Sequence, residues 1–286
     1  MLELSNYKSE TRPDWCPGCG DFGVLNSLVQ AVANLEIDPK DLLVVSGIGC
    51  SSNLPGFIHA YGFHSLHGRA MAVATGARLA NPDLNVVVTG GDGDGYGIGL
   101  GHFVHAMRRN LDITYIVMDN QIYGLTTGQA SPTSSKNFST KSSPYGTIEE
   151  PINPIALALI AGASYVSRGF SGDPKHLTEL IQNGMKHKGF ALVDVFSPCV
   201  TWNKINTYDY FRQKCYKFNG ADYNTSDLTQ AFAKARETDP KIPIGLFYEI
   251  QKPTYEEQDP TLKLENPVKA THLGQSDPDS LFKEFY

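Results

Sequence analysis

Residues 90–128, GGDGDGYGIGLGHFVHAMRRNLDITYIVMDNQIYGLTTG, decide how this 286-residue chain is read. An apolar run at 84–89 enters a glycine-rich turn carrying Asp92. A helix is expected at about 96–109, and a second apolar run at 113–118 ends at Asp119 and Asn120. Strand, helix and strand in that order predict one βαβ unit. Right-handed crossover makes the two strands parallel and brings both C-terminal ends to one edge, where open α/β sheets bind ligands. Asp92 and Asn120 are therefore expected to share one ion.

The residue types in that unit suit a magnesium-diphosphate site. Mg²⁺ takes hard oxygen ligands, commonly one or two carboxylates with phosphate oxygens, and Asp92, the Asn120 amide oxygen and the carbonyl of Ile122 supply that set. Gly90, Gly91, Gly93 and Gly95 remove side chains that would block a diphosphate, and the expected helix start adds free N–H groups. A glycine turn with a helix cap accounts equally well for GDG alone. DNQIYGLTTGQ at the end of the next strand tips the reading toward a ligand site.

Asp92 followed 28 residues on by Asn120, together with WCPGCGDFG, SGIGCSSN, HSLHGRA, YGLTTGQASPT and FSPCVTWNK, resembles the β subunits of 2-oxoacid:ferredoxin oxidoreductases. These motifs run in the family's order across residues 12–215, and the resemblance is closest to the two-subunit 2-oxoglutarate type. It implies a thiamine-diphosphate-binding fold of the diphosphate-binding type: an open, mostly parallel sheet flanked by helices, with an extended C-terminal arm. It also implies thiamine diphosphate held by Ile48, Gly49, Cys50, Ser51, His67, Gly93, Asp94, Gly124 and Leu125, with Mg²⁺ on Asp92, Asn120 and Ile122. His67 falls where the family has a cofactor-contacting, catalytic histidine; without the resemblance it reads as a polar cap. Leu125 would support the cofactor by packing, and Arg69 reads as a surface charge. His59, His64, His102 and His105 show no metal-ligand pattern.

The five cysteines give a separate line of argument. The polar start of the chain and the lack of any apolar run longer than a strand predict a cytoplasmic protein with no membrane span, where structural disulfides are disfavoured. Cys50 follows the apolar run at 42–46 and Cys199 the run at 191–196, so both belong at the ligand edge. Cys16 and Cys19 precede a helical stretch at 22–35, and Cys215 lies in a polar segment. Cys16, Cys19, Cys50 and Cys199 are thus expected to hold a 4Fe-4S cluster, with Cys215 free. A structural zinc site would use the same four thiolates. A thioredoxin-like reading of CPGC fails because no strand leads into it.

Composition adds limits. With 41% apolar residues the chain can bury one large core, and a net charge of −6 without basic runs disfavours nucleic acid as a partner. Residues 1–207 are read as the thiamine-diphosphate domain carrying the cluster ligands. Prolines interrupt residues 208–286, which read either as a flexible tail or as an extended arm folded against a partner subunit, and the large apolar residues of PIGLFYEI favour the arm. Residues 128–146 read as a long surface loop.

The resemblance implies oxidative decarboxylation of 2-oxoglutarate with coenzyme A to succinyl-CoA and CO₂, the electrons passing through the cluster to ferredoxin. The pyrimidine-activating glutamate and the coenzyme A site have no counterpart here and are expected from a larger α subunit. Pyruvate or broad 2-oxoacid specificity, a non-redox thiamine decarboxylase or synthase subunit, and a non-enzymatic iron–sulfur module remain open. Asn53, Thr126 and Thr127 are polar candidates near the substrate, and none is basic.

Overall fold

The computed structural model describes residues 2–218, 223–264, 266–270 and 282–283. The βαβ unit is present with shifted limits. Strand β3 spans Asn85–Gly91 and β4 spans Thr114–Asp119, paired parallel from Val87 opposite Thr114 to Gly91 opposite Met118. The helix between them, α3, runs only from Leu100 to Arg109, not from 96. Residues Gly93–Ile98 make a π-type turn instead, broken at Gly97. Glycines there weaken a regular helix, and the turn needs them. A Cβ on Gly93 would lie 2.1 Å from the Tyr123 ring, and one on Gly95 would lie 2.2 Å from the Tyr115 hydroxyl.

Around this unit the other strands assemble: β1 (Leu42–Ser46), β2 (Tyr61–His64), β5 (Tyr165–Phe170), β6 (Ala191–Phe196), β7 (Cys215–Lys217) and β8 (Ile242–Glu249). They form one sheet in the order β2-β1-β3-β4-β6-β5-β8-β7, in which β5 and β8 pair antiparallel and every other pair is parallel. The central strands β1, β3, β4 and β6 are near-continuous apolar runs, as expected where helices cover both faces, whereas the edge strand β2 is exposed. On one face, α1 (Asp21–Asn34) and α5 (Pro174–Lys186) pack on Val44, Val87, Ile116, Met118, Val193 and Val195. On the other, α2 (Ala70–Ala80), α3, α4 (Pro154–Ile160) and α7 (Leu228–Ala235) cover Val45, Val86, Val88, Tyr115, Val117 and Leu192. Each fully buried branched side chain contributes about 1.5–3 kcal/mol.

The segment beyond residue 207 enters the sheet. β8 lies beside β5, and its Phe247 and Tyr248 join the main core, as do Ala231 and Ala235 of α7. IPIGLFYE is a near-continuous apolar run suited to a strand buried on both faces, and without β8 the edge of β5 would be left unpaired. Within the expected arm, β7, β8 and α7 thus pack into this chain's own sheet and core, and residues 219–222, 265, 271–281 and 284–286 lie outside the described residues. The loop at 128–146 is only partly superficial, since Ser131, Thr133, Ser134 and Phe138 are buried.

Candidate functional site

β1, β3, β4 and β6 all end at the same sheet edge, so the segments that follow them meet there. A cleft of about 240 Å³ opens at this edge. The backbone after β1 supplies Ile48, Gly49, Cys50 and Ser51, and the turn after β3 supplies Asp92, Gly93 and Asp94. The turn after β4 supplies Asn120, Ile122, Gly124 and Leu125, and His67 enters from the segment before α2. The structure thus gathers every residue expected at the cofactor and at the ion into one cavity. Gly91, Tyr123 and Thr126 line it as well. Leu125 stands on the rim, 55% exposed.

The turn after β4 is built by Asn120. Its Oδ1 accepts from Ile122 N at 3.1 Å, an Asx turn that requires left-handed backbone at Gln121, where φ is 57°. Asn203 Nδ2 donates to the Asn120 carbonyl at 3.0 Å and holds the turn from the far side. Asp92 is buried, and its Oδ2 accepts from Ser131 Oγ at 2.5 Å and from Thr133 Oγ1 at 2.6 Å. Burial pushes the Asp92 carboxyl up to about 6, against the pull of those two hydroxyls. Thr133 Oγ1 also lies 2.8 Å from Asp119 Oδ1. One hydroxyl has one proton to donate, so a proton on one of the two carboxyls completes the second contact. Burial, reinforced by the nearby Asp92, holds the Asp119 carboxyl well above the ordinary range.

Asp94 has a different task from Asp92. Its Oδ1 accepts from Ile48 N at 2.9 Å and Gly68 N at 2.7 Å, and faces His67 Nδ1 at 2.9 Å. It therefore ties the segments after β1 and before α2 to the π-type turn. A Cβ on Gly47 would lie 2.0 Å from Asp94 Oδ2, which is why that position must be glycine. A carboxylate on Nδ1 fixes the ring so that Nε2 is the nitrogen left for another partner. His67 lies three residues before α2 begins and does not cap it.

Behind the cleft lies a second cavity of about 370 Å³, lined by Cys16, Cys19, Cys50 and Cys199 and sharing Cys50, Asn120, Gly124 and Leu125 with the first. The CPGC turn, closed by Cys19 N on Cys16 O at 2.9 Å, is carried there by two ties. Trp15 Nε1 donates to the Cys50 carbonyl at 2.7 Å, and Gly20 N donates to the Pro198 carbonyl at 3.1 Å. A Cβ on Gly20 would meet Ser197 Oγ at 2.4 Å, so the glycine after Cys19 permits the approach. A Cβ on Gly124 would be 3.7 Å from both Cys50 Sγ and Cys199 Sγ, so those sulfurs lie within twice that distance of each other.

Buried beside the thiols is Asp21, whose Oδ1 accepts from Ser197 Oγ at 2.7 Å while Oδ2 has no partner among the described residues. Burial raises its carboxyl to about 6, and burial together with this carboxylate raises the Cys19 thiol and brings that of Cys50 to about 11. Cys215 lies apart at the start of β7, packed against Phe170, Phe211 and Ile242.

The chemistry of both donor sets fits the expected groups. Hard oxygens converge in a glycine-walled cleft suited to Mg²⁺ and a diphosphate. Four thiols surround a space rather than a point; among the described residues no three His, Cys, Asp or Glu side chains converge on a single metal-ion position. Of the polar substrate candidates, Thr126 lines the cleft, whereas Asn53 and Thr127 line the thiol cavity. His59, His64 and His102 contact the Asn6 carbonyl, the Ser52 carbonyl and Arg69 respectively. Ser131, Thr133 and Asp21 carry no individual signal in the sequence, although QASPT and CPGCGD contain them.

Residues 47–195 match the thiamine pyrophosphate enzyme C-terminal TPP-binding domain, so fold and site together define a thiamine-diphosphate-binding unit. Residues 199–264 match a second family, the C-terminal part of the beta subunit of pyruvate ferredoxin oxidoreductase. The chain is 43% identical over a 303-residue alignment to the beta subunit of 2-oxoacid:ferredoxin oxidoreductase 1 of Aeropyrum pernix, covering 99% of this chain and 95% of that one. It is 40% identical over 245 residues to the KorB subunit of 2-oxoglutarate synthase of Methanocaldococcus jannaschii, covering 85% and 90%. Its structure is similar to that of the 2-oxoglutarate:ferredoxin oxidoreductase from Magnetococcus marinus with 2-oxoglutarate, coenzyme A and succinyl-CoA bound. The TM-score is 0.91 at 46% identity, over 100% of this chain and 96% of that one. The chain belongs to the β-subunit family of 2-oxoacid:ferredoxin oxidoreductases, which are thiamine-diphosphate-dependent enzymes. No helix among the described residues is long and apolar enough to cross a membrane.

Proposed function

We propose that this chain is the thiamine-diphosphate and 4Fe-4S subunit of a cytoplasmic enzyme that converts 2-oxoglutarate and coenzyme A to succinyl-CoA and CO₂, and that its electron acceptor is ferredoxin. The observation that carries the reading is the wall shared by the oxygen-lined cleft and the four-thiol cavity, made of Cys50, Asn120, Gly124 and Leu125. Thiamine diphosphate supplies stabilisation of the carbanion left when a 2-oxoacid loses CO₂. In this chain, Asp92, Asn120 and the Ile122 carbonyl hold Mg²⁺ on the diphosphate, Gly93 lets the phosphates approach, and Leu125 packs on the cofactor. Ile48, Gly49, Ser51 and Gly124 form its walls. Asp94 acts mainly through His67, which it orients toward the cleft.

Two electrons must leave for each acyl group passed to the coenzyme A thiol. A one-electron centre held by Cys16, Cys19, Cys50 and Cys199 beside the cleft gives them an exit, which a structural zinc would not. The glutamate that activates the pyrimidine and the site for coenzyme A are assigned to an α subunit. Among the described residues neither cavity is lined by Lys or Arg. The cation that recognises the distal carboxylate of 2-oxoglutarate is therefore assigned to that subunit too.

Competing substrates test this reading. The complex of this chain with its α subunit is expected to reduce ferredoxin with a higher kcat/KM for 2-oxoglutarate than for pyruvate, and the chain alone is expected to show no turnover. A preference for pyruvate would overturn the substrate, and turnover by the chain alone would overturn the two-subunit assignment.

A further inference from the structure

We propose that Ser131 and Thr133 are positioning residues for the ion-binding carboxylate: they clamp one oxygen of Asp92 and so couple the loop that walls the cleft to binding of the ion. This rests on the assignment of Asp92 as an Mg²⁺ ligand. Asp92 Oδ2 accepts from Ser131 Oγ at 2.5 Å and from Thr133 Oγ1 at 2.6 Å, and all three side chains are buried. A carboxylate oxygen offers about two acceptor sites, so Oδ2 is filled, and the ion's share of the carboxylate falls to Oδ1. Rotation of the carboxylate would break two charge-assisted hydrogen bonds where water cannot replace them.

Both hydroxyls lie on the strap that begins at the cleft. Ile122 to Thr126 line it. The chain then doubles back, with Tyr123 N donating to the Gln129 carbonyl at 2.8 Å. The far end is pinned by Ser134 Oγ, which donates to the Gln121 carbonyl at 2.7 Å and accepts from Ser131 N at 2.8 Å. Residues 121–134 therefore form a closed loop, joined to the turn after β3 by the two hydroxyls on Asp92 and by Tyr123 Oη, which donates to the Gly93 carbonyl at 3.1 Å. A shift of the strap disturbs two of the ion's oxygens together, because it carries the Ile122 carbonyl and holds the Asp92 carboxylate. Outer partners of this kind typically change metal affinity about 10- to 100-fold.

The test is equilibrium dialysis of thiamine diphosphate against the cofactor-stripped complex with its α subunit, titrated with Mg²⁺. Ser131→Ala and Thr133→Val are each expected to raise the Mg²⁺ needed for half-saturation by about 10- to 100-fold. Thr133→Ser keeps the hydroxyl and is expected to restore the native requirement, a rescue that a purely space-filling role for Thr133 would not produce. Ser131→Ala removes a single oxygen, so it carries the test even where valine at 133 prevents folding. A native Mg²⁺ requirement in Ser131→Ala, or a Thr133→Ser protein as impaired as Thr133→Val, would overturn the proposal. Asp92→Asn separates the two layers of inference. Normal binding by that variant removes the ion assignment itself, whereas loss of binding there with unaffected hydroxyl variants removes the positioning role alone.

Discussion

At the residue scale, the account depends on which oxygen and sulfur atoms hold which group, and the two sets are separable by substitution. Asp92→Ala is expected to abolish Mg²⁺-dependent thiamine diphosphate binding and leave the iron content unchanged, because that carboxylate lines the cleft and not the thiol cavity. Cofactor binding and iron, measured on the same sample, check it. Serine at Cys16, Cys19, Cys50 or Cys199 is expected to lower iron, since a hard hydroxyl is a poor substitute for a thiolate. Cys215→Ser should keep the native iron content, and iron loss there with Cys199 dispensable would reverse the assignment. Asp92, Asn120, Cys50 and Cys199 could be placed together from the sequence because each lies at a strand end, and strand ends can be read from apolar runs, whereas Cys16 and Cys19, which precede α1, were joined to them by the CPGC spacing. Ser131 and Thr133 were not, because hydroxyls are common in loops and only tertiary folding brings them to a carboxylate 39 and 41 positions away.

At the element scale, the π-type turn and β8 are where sequence and structure part. A glycine-rich segment before an amphipathic run reads as the start of a helix. The close approach of Tyr123 and Tyr115 that requires glycine at 93 and 95 depends on contacts across the fold that pattern alone does not align. β8 was obscured by the prolines around it; Pro243 is tolerated because it lies at the start of the strand, opposite Tyr216 of the short edge strand β7 and before the residues that pair with β5. α5 supports a prediction of its own. His176 is buried with neither ring nitrogen partnered among the described residues, and burial, helped by Lys217, holds its pKa below the usual value. His187, at the end of the same helix, is lowered mainly by burial too. As pH falls below about 6.5 the unfolded chain takes up protons that the folded chain refuses, so stability is lost toward acid. The melting temperature is expected to fall between about pH 7 and about pH 5, less steeply in His176→Leu. Equal slopes in the two proteins would exclude His176 as a source.

At the scale of the whole molecule, the parallel sheet explains why segments far apart in sequence make one site. Segments after β1, β3, β4 and β6 reach the same edge, and ligands of α/β sheets bind there because loops converge around unpaired backbone groups. The general architecture was therefore legible from one βαβ unit and the direction of crossover. Where the sheet ended was not, since pairing β8 to β5 depends on contacts across the chain. The central claim is that this fold places a thiamine site and a four-thiolate cluster side by side in one polypeptide. Anaerobic purification of the chain with its α subunit, followed by assay of thiamine, iron and zinc on one sample, tests it most directly. The account predicts one thiamine diphosphate and a four-iron cluster per chain, whereas zinc in place of iron, or iron without thiamine, would contradict it.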